Sequence, residues 1–339
     1  MNMPSNILKN LIKLSLYFSR NLDWTQGAGG NSSAKDKDLM LVKASGYWLS
    51  EANEKNIFVK MSIPEIIRKI DSLQEDIGSA VVSENDLKPS IEAMMHAFIP
   101  YKYVVHVHSI NVLASVVTYN SEKYIAKFLD EIDYLYVKYA RPGLPLAVEI
   151  KKNYIRNFQV IILENHGLIV AANSADEVIE IFSRIENSFN ERKVDRSFLN
   201  NDIFLEKISL NSKYRLPKYR ECRILADKTL SKQIISGNAI FPDQVVFLDD
   251  IQFKIVTVEK LEDELSSNDN EILLIKNLGI LVPTKLSTNS ELMLLTLSRV
   301  FERTDRNNKL RFLTPEDVRG LRNWDAEKYR KAIQKEVCK

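Results

Sequence analysis

The sequence is short of several features that would each announce a class of protein. It has two cysteines, Cys222 and Cys338, too few and too far apart for a disulfide framework, so a reducing, cytoplasmic compartment is the natural reading. No apolar run approaches the ~20 residues that a membrane-spanning helix needs. The apolar stretch from Ile7 to Phe18 is interrupted by Lys9 and Lys13 and lacks a small-residue cleavage pattern, so it reads as an amphipathic first helix rather than a signal peptide. Charge of one sign is missing too. The 47 basic and 45 acidic residues are well mixed and leave a net charge of +2, which offers no electrostatic footprint for nucleic acid or an anionic membrane. Histidine is scarce and concentrated: His96, His106, His108 and His166 are the whole set.

What is present is an ordinary globular composition, 45% hydrophobic and 27% charged, in a chain of 339 residues, long enough for two domains. After the first helix comes a small-residue loop, Gly27-Ala28-Gly29-Gly30-Asn31-Ser32-Ser33, then a short apolar strand (Leu39 to Val42) ending in the turn Lys43-Ala44-Ser45-Gly46. Lys88-Pro89-Ser90-Ile91-Glu92 has the Pro and Ser of a helix start. Tyr103 to His108 and Val160 to Leu163 are short, β-branched and strand-like, and apolar residues at helical spacing from Val178 to Phe189 mark a helix. Between about Glu191 and Lys218 the composition turns polar, which places a boundary between domains 1–198 and 199–339. The second part holds a loose echo: Asn165-His166-Gly167-Leu168-Ile169-Val170 is matched by Asn277-Leu278-Gly279-Ile280-Leu281-Val282. The echo is either a degenerate repeat without metal ligands or two unrelated strand–turn–helix units.

His106 and His108 lie two apart on a predicted strand, so their side chains leave one face roughly 7 Å apart at Cα, close enough to converge on one ion. His166 ends another strand and is followed by Gly167, which permits a tight turn. Three protein ligands with an open position is the pattern of a catalytic zinc site, although alternating histidines also occur as ordinary core or surface residues. Glu92 has two readings, a carboxylate placed at a helix start by the helix dipole or an acid/base group. His96 lies four residues after Glu92 and reads as a supporting residue rather than a fourth ligand. The glycine loop and the Ser45-Gly46 turn offer backbone N–H groups to an anion, with Lys43 placed to add charge.

The order Gly-Gly-Asn-Ser-Ser (29–33), Lys-Ala-Ser-Gly (43–46), Pro-Ser-Ile-Glu-x-x-x-His (89–96), His-Val-His-Ser (106–109) and Asn-His-Gly (165–167) resembles the class II aldolase/adducin family over roughly residues 5 to 195. Softer echoes, Phe241-Pro242-Asp243-Gln244-Val245-Val246 and Asn323-Trp324-Asp325-Ala326-Glu327-Lys328-Tyr329-Arg330, resemble the region that follows the aldolase domain in longer rhamnulose-aldolase-like proteins. The resemblance implies a three-layer α/β/α fold with a mainly antiparallel sheet, here with a smaller C-terminal α/β domain, and a homo-oligomer, commonly a tetramer. It implies one divalent metal ion, zinc by expectation, on His106, His108 and His166, with Glu92 as acid/base. Gly30, Asn31, Ser45, Gly46 and Ser90 match positions of a phosphate pocket, beside which Lys43 stands. The implied reaction is reversible aldol cleavage of a phosphorylated ketose or related sugar through a metal-stabilised enediolate. Epimerase, dehydratase or decarboxylase chemistry on the same site, and an adducin-like interaction protein without catalysis, are the alternatives. The sequence departs from the pattern at Ile91, where the aldolases commonly carry a second hydroxyl residue, so recognition of a phosphate differs at that point.

Overall fold

The computed structural model describes residues 3–83, 85–189, 202–237, 239–248, 251–267, 271–276, 278–305 and 307–322. Within them the chain forms two compact units, one up to residue 189 and one from 202 to 322. The boundary expected at 198/199, the stretch 323–330, Asn277 and Cys338 lie outside the described residues.

The first unit opens with α1 (Ser5–Ser19), whose helical spacing buries Ile7, Leu11, Leu14 and Phe18 along one stripe. Then come β1 (Asn31–Asp36), β2 (Leu39–Lys43), β3 (Phe58–Ser62), α2 (Ile63–Asp71), α3 (Ala93–Phe98), β4 (Tyr103–Val107), α4 (Ile110–Val116), α5 (Ser121–Ala126) and β5 (Leu135–Val137). Next, α6 (Leu144–Asn153) crosses to β6 (Val160–Leu163), which turns back into β7 (Gly167–Ala172) and α7 (Ala175–Asn187). The sheet runs β3-β2-β1-β4-β7-β6-β5, and every neighbouring pair is antiparallel except β5/β6. Helices α2, α3 and α6 cover one face, packing Ile66, Met94 and Ile150 against Met40, Val104 and Ile169. Helices α1, α4 and α7 lie against the other. This is the expected three-layer α/β/α arrangement on a mainly antiparallel sheet.

Two local expectations change. Asn31, Ser32 and Ser33 begin β1 instead of ending a loop, with Asn31 opposite His106 and Ser33 opposite Val42 and Val104. Alternation sends Ser32 to one face and Asn31 and Ser33 to the other. Their polar groups are satisfied there, Ser32 by Ser15 at 2.8 Å and Ser33 by His96 at 2.8 Å. The helix expected from Lys88 begins instead at Ala93, with Glu92 as its N-cap residue. The backbone before it is taken by the β2 turn: Ser45 N–H donates to Lys88 O and Ser90 N–H to Lys43 O, both at 2.9 Å.

The second unit comprises α8 (Asp202–Ser209), β8 (Tyr214–Arg215), α9 (Lys228–Ser236), α10 (Pro242–Leu248), β9 (Gln252–Val256), α11 (Leu261–Ser267), β10 (Glu271–Ile275), β11 (Gly279–Pro283), α12 (Thr288–Arg303) and α13 (Pro315–Arg322). Its sheet order is β8-β11-β10-β9. That order repeats β4-β7-β6-β5 with the same senses: antiparallel, antiparallel, then a parallel pair joined through a helix. Even the hairpin register agrees, Ile275 facing Gly279 as Leu163 faces Gly167. The sequence echo is therefore one part of a four-strand repeat. Superposing the registers and continuing past β8 sets Leu216, Lys218 and Leu278 at the positions of His106, His108 and His166. Leu216 and Leu278 pack against an apolar cluster that includes Leu205, Leu273 and Leu281.

Candidate metal centre

Three strand ends of the first unit meet where β4, β6 and β7 lie side by side. His106 is on β4, His108 follows it, and His166 sits in the turn joining β6 to β7. Their ligand atoms lie within 4.8 Å of one another, and all three residues are buried. His106 Nδ1–H donates to Leu168 O at 3.1 Å, and its Nε2 lies 3.0 Å from His108 Nε2. Among the described residues this is the one group of His, Cys, Asp or Glu arranged to hold a metal ion.

Two close backbone approaches make this convergence possible. Gly30 has φ +69° and Gly167 φ +156°, and a Cβ on either would meet a β4 carbonyl, His106 O at 2.8 Å or Val107 O at 2.4 Å. Asn165, at φ 55°, completes the tight turn that carries His166. The glycine after His166 thus serves the packing of the turn against β4.

Glu92 stands between the imidazoles, Oε2 3.6 Å from His106 Nε2 and Oε1 3.3 Å from His166 Nε2. Glu92 occupies the N-cap position of α3, but its side chain makes no capping hydrogen bond and is directed at the histidines instead. Asn31 Nδ2 donates to Glu92 Oε2 at 2.7 Å and lies 3.2 Å from Ser90 Oγ. Burial by itself raises the Glu92 carboxyl, but His106, His166, His108 and the Asn31 donor outweigh it and hold it at about 2. Glu92 Oε1 is buried and accepts no hydrogen bond. Converging imidazoles with an unsatisfied carboxylate oxygen beside them make a donor set that a divalent ion would complete.

The residues expected at the anion pocket are brought together by backbone pairing. Asn31 and Ser90 adjoin Glu92, and the bonds between 43–45 and 88–90 hold Lys43, Ser45 and Ser90 side by side. Lys43 is 2% exposed and its ammonium donates to Ala28 O at 3.2 Å and Tyr47 O at 2.6 Å, tying the glycine loop to the Ser45-Gly46 turn. Its geometry fits bracing of the two loops more directly than contact with an anion.

Sequence reading passed over several supporting groups. Glu164, 2% exposed, accepts from Tyr139 N–H at 3.0 Å and from Tyr136 OH and Lys138 Nζ, both at 3.3 Å, anchoring the His166 turn to the segment after β5. Glu186 on α7 accepts from Ser109 Oγ at 2.5 Å and Asn111 Nδ2 at 3.0 Å, just beyond His108. A charged residue directly before Asn-His-Gly was the available signal for Glu164; Glu186 left none, because its partners are far off in sequence.

Residues 9–191 match the model of the "Class II Aldolase and Adducin N-terminal domain". A curated relative, "Uncharacterized oxidoreductase YuxG" of Bacillus subtilis (strain 168), is 28% identical over 186 residues, 48% of this chain and 27% of the relative, so the match spans about a quarter of that protein. Among solved structures, the N-terminal class II aldolase domain of a conserved protein from Thermoplasma acidophilum is 25% identical, covering 55% of this chain and 95% of that one at a TM-score of 0.47. L-fuculose-1-phosphate aldolase from Thermus thermophilus is 15% identical, covering 55% and 91% at a TM-score of 0.39. With the family model spanning more than half of the chain, this protein belongs to the class II aldolase/adducin family.

Proposed function

We propose that the chain is a metal-dependent lyase that reversibly cleaves a phosphorylated ketose or related sugar by an aldol reaction, with zinc on His106, His108 and His166. The observation that carries this is the buried Glu92 carboxyl group held within 3.6 Å of two converging imidazoles. A bound divalent ion would supply Lewis-acid polarisation of a carbonyl and its neighbouring hydroxyl. His106, His108 and His166 would hold it in place, and Glu92 is the group placed beside them to move a proton. Glu92 takes and returns the proton on the carbon next to the carbonyl, with Oε1 free of hydrogen-bond donors for that purpose. Asn31 fixes Oε2 and so sets the direction in which Oε1 points. Gly30, Asn31, Ser45, Gly46 and Ser90 receive the substrate's anionic group, braced by Lys43. Ile91 removes one hydroxyl contact there, so the anionic group is bound differently from the family pattern at that point. In this reading residues 1–198 form the catalytic domain and 199–339 a domain without metal ligands, within a cytoplasmic homo-oligomer.

Removing metal with a chelator should abolish cleavage across a panel of ketose phosphates, read by NMR of the products, and one equivalent of zinc should restore it. Full turnover in metal-free protein would refute the proposal. Glu92→Gln should keep the zinc and lose about 10²–10⁴-fold in turnover. Epimers, dehydrated or decarboxylated products in place of an aldehyde would transfer the site to those reactions.

A further inference from the structure

Beside the proposed metal centre a buried histidine does no ligating. His96, on α3, is 0% exposed and its ring bridges two residues of one face of β1. Its Nδ1 lies 2.8 Å from Ser33 Oγ, and its Nε2 lies 2.5 Å from Asn31 Oδ1. The opposite end of the Asn31 amide reaches Glu92 Oε2 at 2.7 Å and Ser90 Oγ at 3.2 Å.

The proton positions in this chain follow from the chemistry of its ends. Asn31 turns its NH2 toward Glu92 Oε2 and Ser90 Oγ. Its Oδ1 then faces His96 and can only accept, which puts the His96 proton on Nε2. In a neutral ring Nδ1 then carries a lone pair, to which the Ser33 hydroxyl donates. Without His96 the Asn31 amide has no group that distinguishes its two ends on the side away from Glu92, and a rotated amide would set an oxygen against the carboxylate.

We infer that His96 is a positioning residue: as a neutral Nε2–H imidazole held by Ser33, it locks the Asn31 amide so that its NH2 faces Glu92 and Ser90. The inference rests on the reading of Glu92 as the acid/base group, but its first consequence concerns the protein without substrate. Locking a donor in place before the reaction begins removes the cost of reorienting it during the reaction.

The test uses the full chain. In metal-free protein with labelled histidine and asparagine, NMR should show His96 as the Nε2–H tautomer and slow hydrogen exchange at the Asn31 side-chain amide. His96→Leu should abolish that protection while one equivalent of zinc still binds, and turnover of the best ketose phosphate in the panel should fall about 10–100-fold. His96→Gln, whose amide can donate in place of Nε2–H, should recover most of the loss. His96→Leu combined with Asn31→Ala should be no slower than Asn31→Ala alone, because the two act through one contact. An Nδ1–H tautomer, additive losses, or a His96→Gln variant no better than His96→Leu would overturn the inference. Full turnover in Glu92→Gln would instead overturn the acid/base reading, with the NMR arm left to decide His96 on its own.

Discussion

Glu92 and His96 show how burial acts on single groups around this centre. Burial raises the Glu92 carboxyl, yet its cationic and hydrogen-bonding neighbours bring it down to about 2. For His96 burial comes first and lowers the imidazole to about 3, with Lys35 and His106 adding to the effect against Glu92. The unfolded chain takes up a proton at His96 as pH falls below about 6.5, while the folded chain resists until about 3, so stability present above 6.5 is lost on acidification through that window. Denaturant unfolding at pH 7.5 and pH 5 should show the wild type losing about 2 kcal/mol more than His96→Gln, whose side chain does not titrate. Equal losses in the two proteins would show that His96 is not held neutral. The His-x-His spacing marked His106 and His108 as candidate ligands from the sequence, while Glu92 stood out as an acid/base candidate only through the resemblance of the ordered motifs. The bond from His96 to Asn31 was not, because it joins a helix to a strand 65 residues away.

At the scale of elements, β4 is the hub. It pairs with β1 on one side and β7 on the other, so the residues that matter on all three strands are set by register. Asn31 lies opposite His106 for that reason alone. The glycines at the borders of β4 are the close-approach points, and substituting them tests whether this packing holds the metal. Gly167→Ala adds a Cβ 2.4 Å from Val107 O on a backbone at φ +156°, which must push the His166 turn away from β4. We expect a loss of about 1–3 kcal/mol in unfolding free energy, together with a zinc content well below one equivalent. A stable Gly167→Ala protein with full zinc would show that the turn has room. The motifs around these elements could be read from the sequence, but their ends could not. Ser32 and Ser33 look like loop residues and become strand because Ser15 and His96 satisfy their hydroxyls. The Pro-Ser helix signal at 89–90 yields to backbone pairing with the turn after β2.

For the molecule as a whole, every proposed ligand and acid/base group lies in the first unit, while the second repeats four of its strands with no candidate metal cluster among the described residues. Residues 1–198 expressed alone should therefore fold and bind one equivalent of zinc, as measured by circular dichroism and metal analysis; an unfolded or metal-free fragment would show that the second unit is needed. No helix among the described residues is long and apolar enough to cross a membrane, in line with the interrupted apolar runs of the sequence. The few histidines, their spacing and the ordered family motifs were enough to name the candidate donors from the sequence. How those donors are aimed, and that the second unit's sheet repeats the order β4-β7-β6-β5, came only from the tertiary structure. Strand register, amide orientation and buried hydrogen bonds join residues distant in the chain, and no local spacing records them.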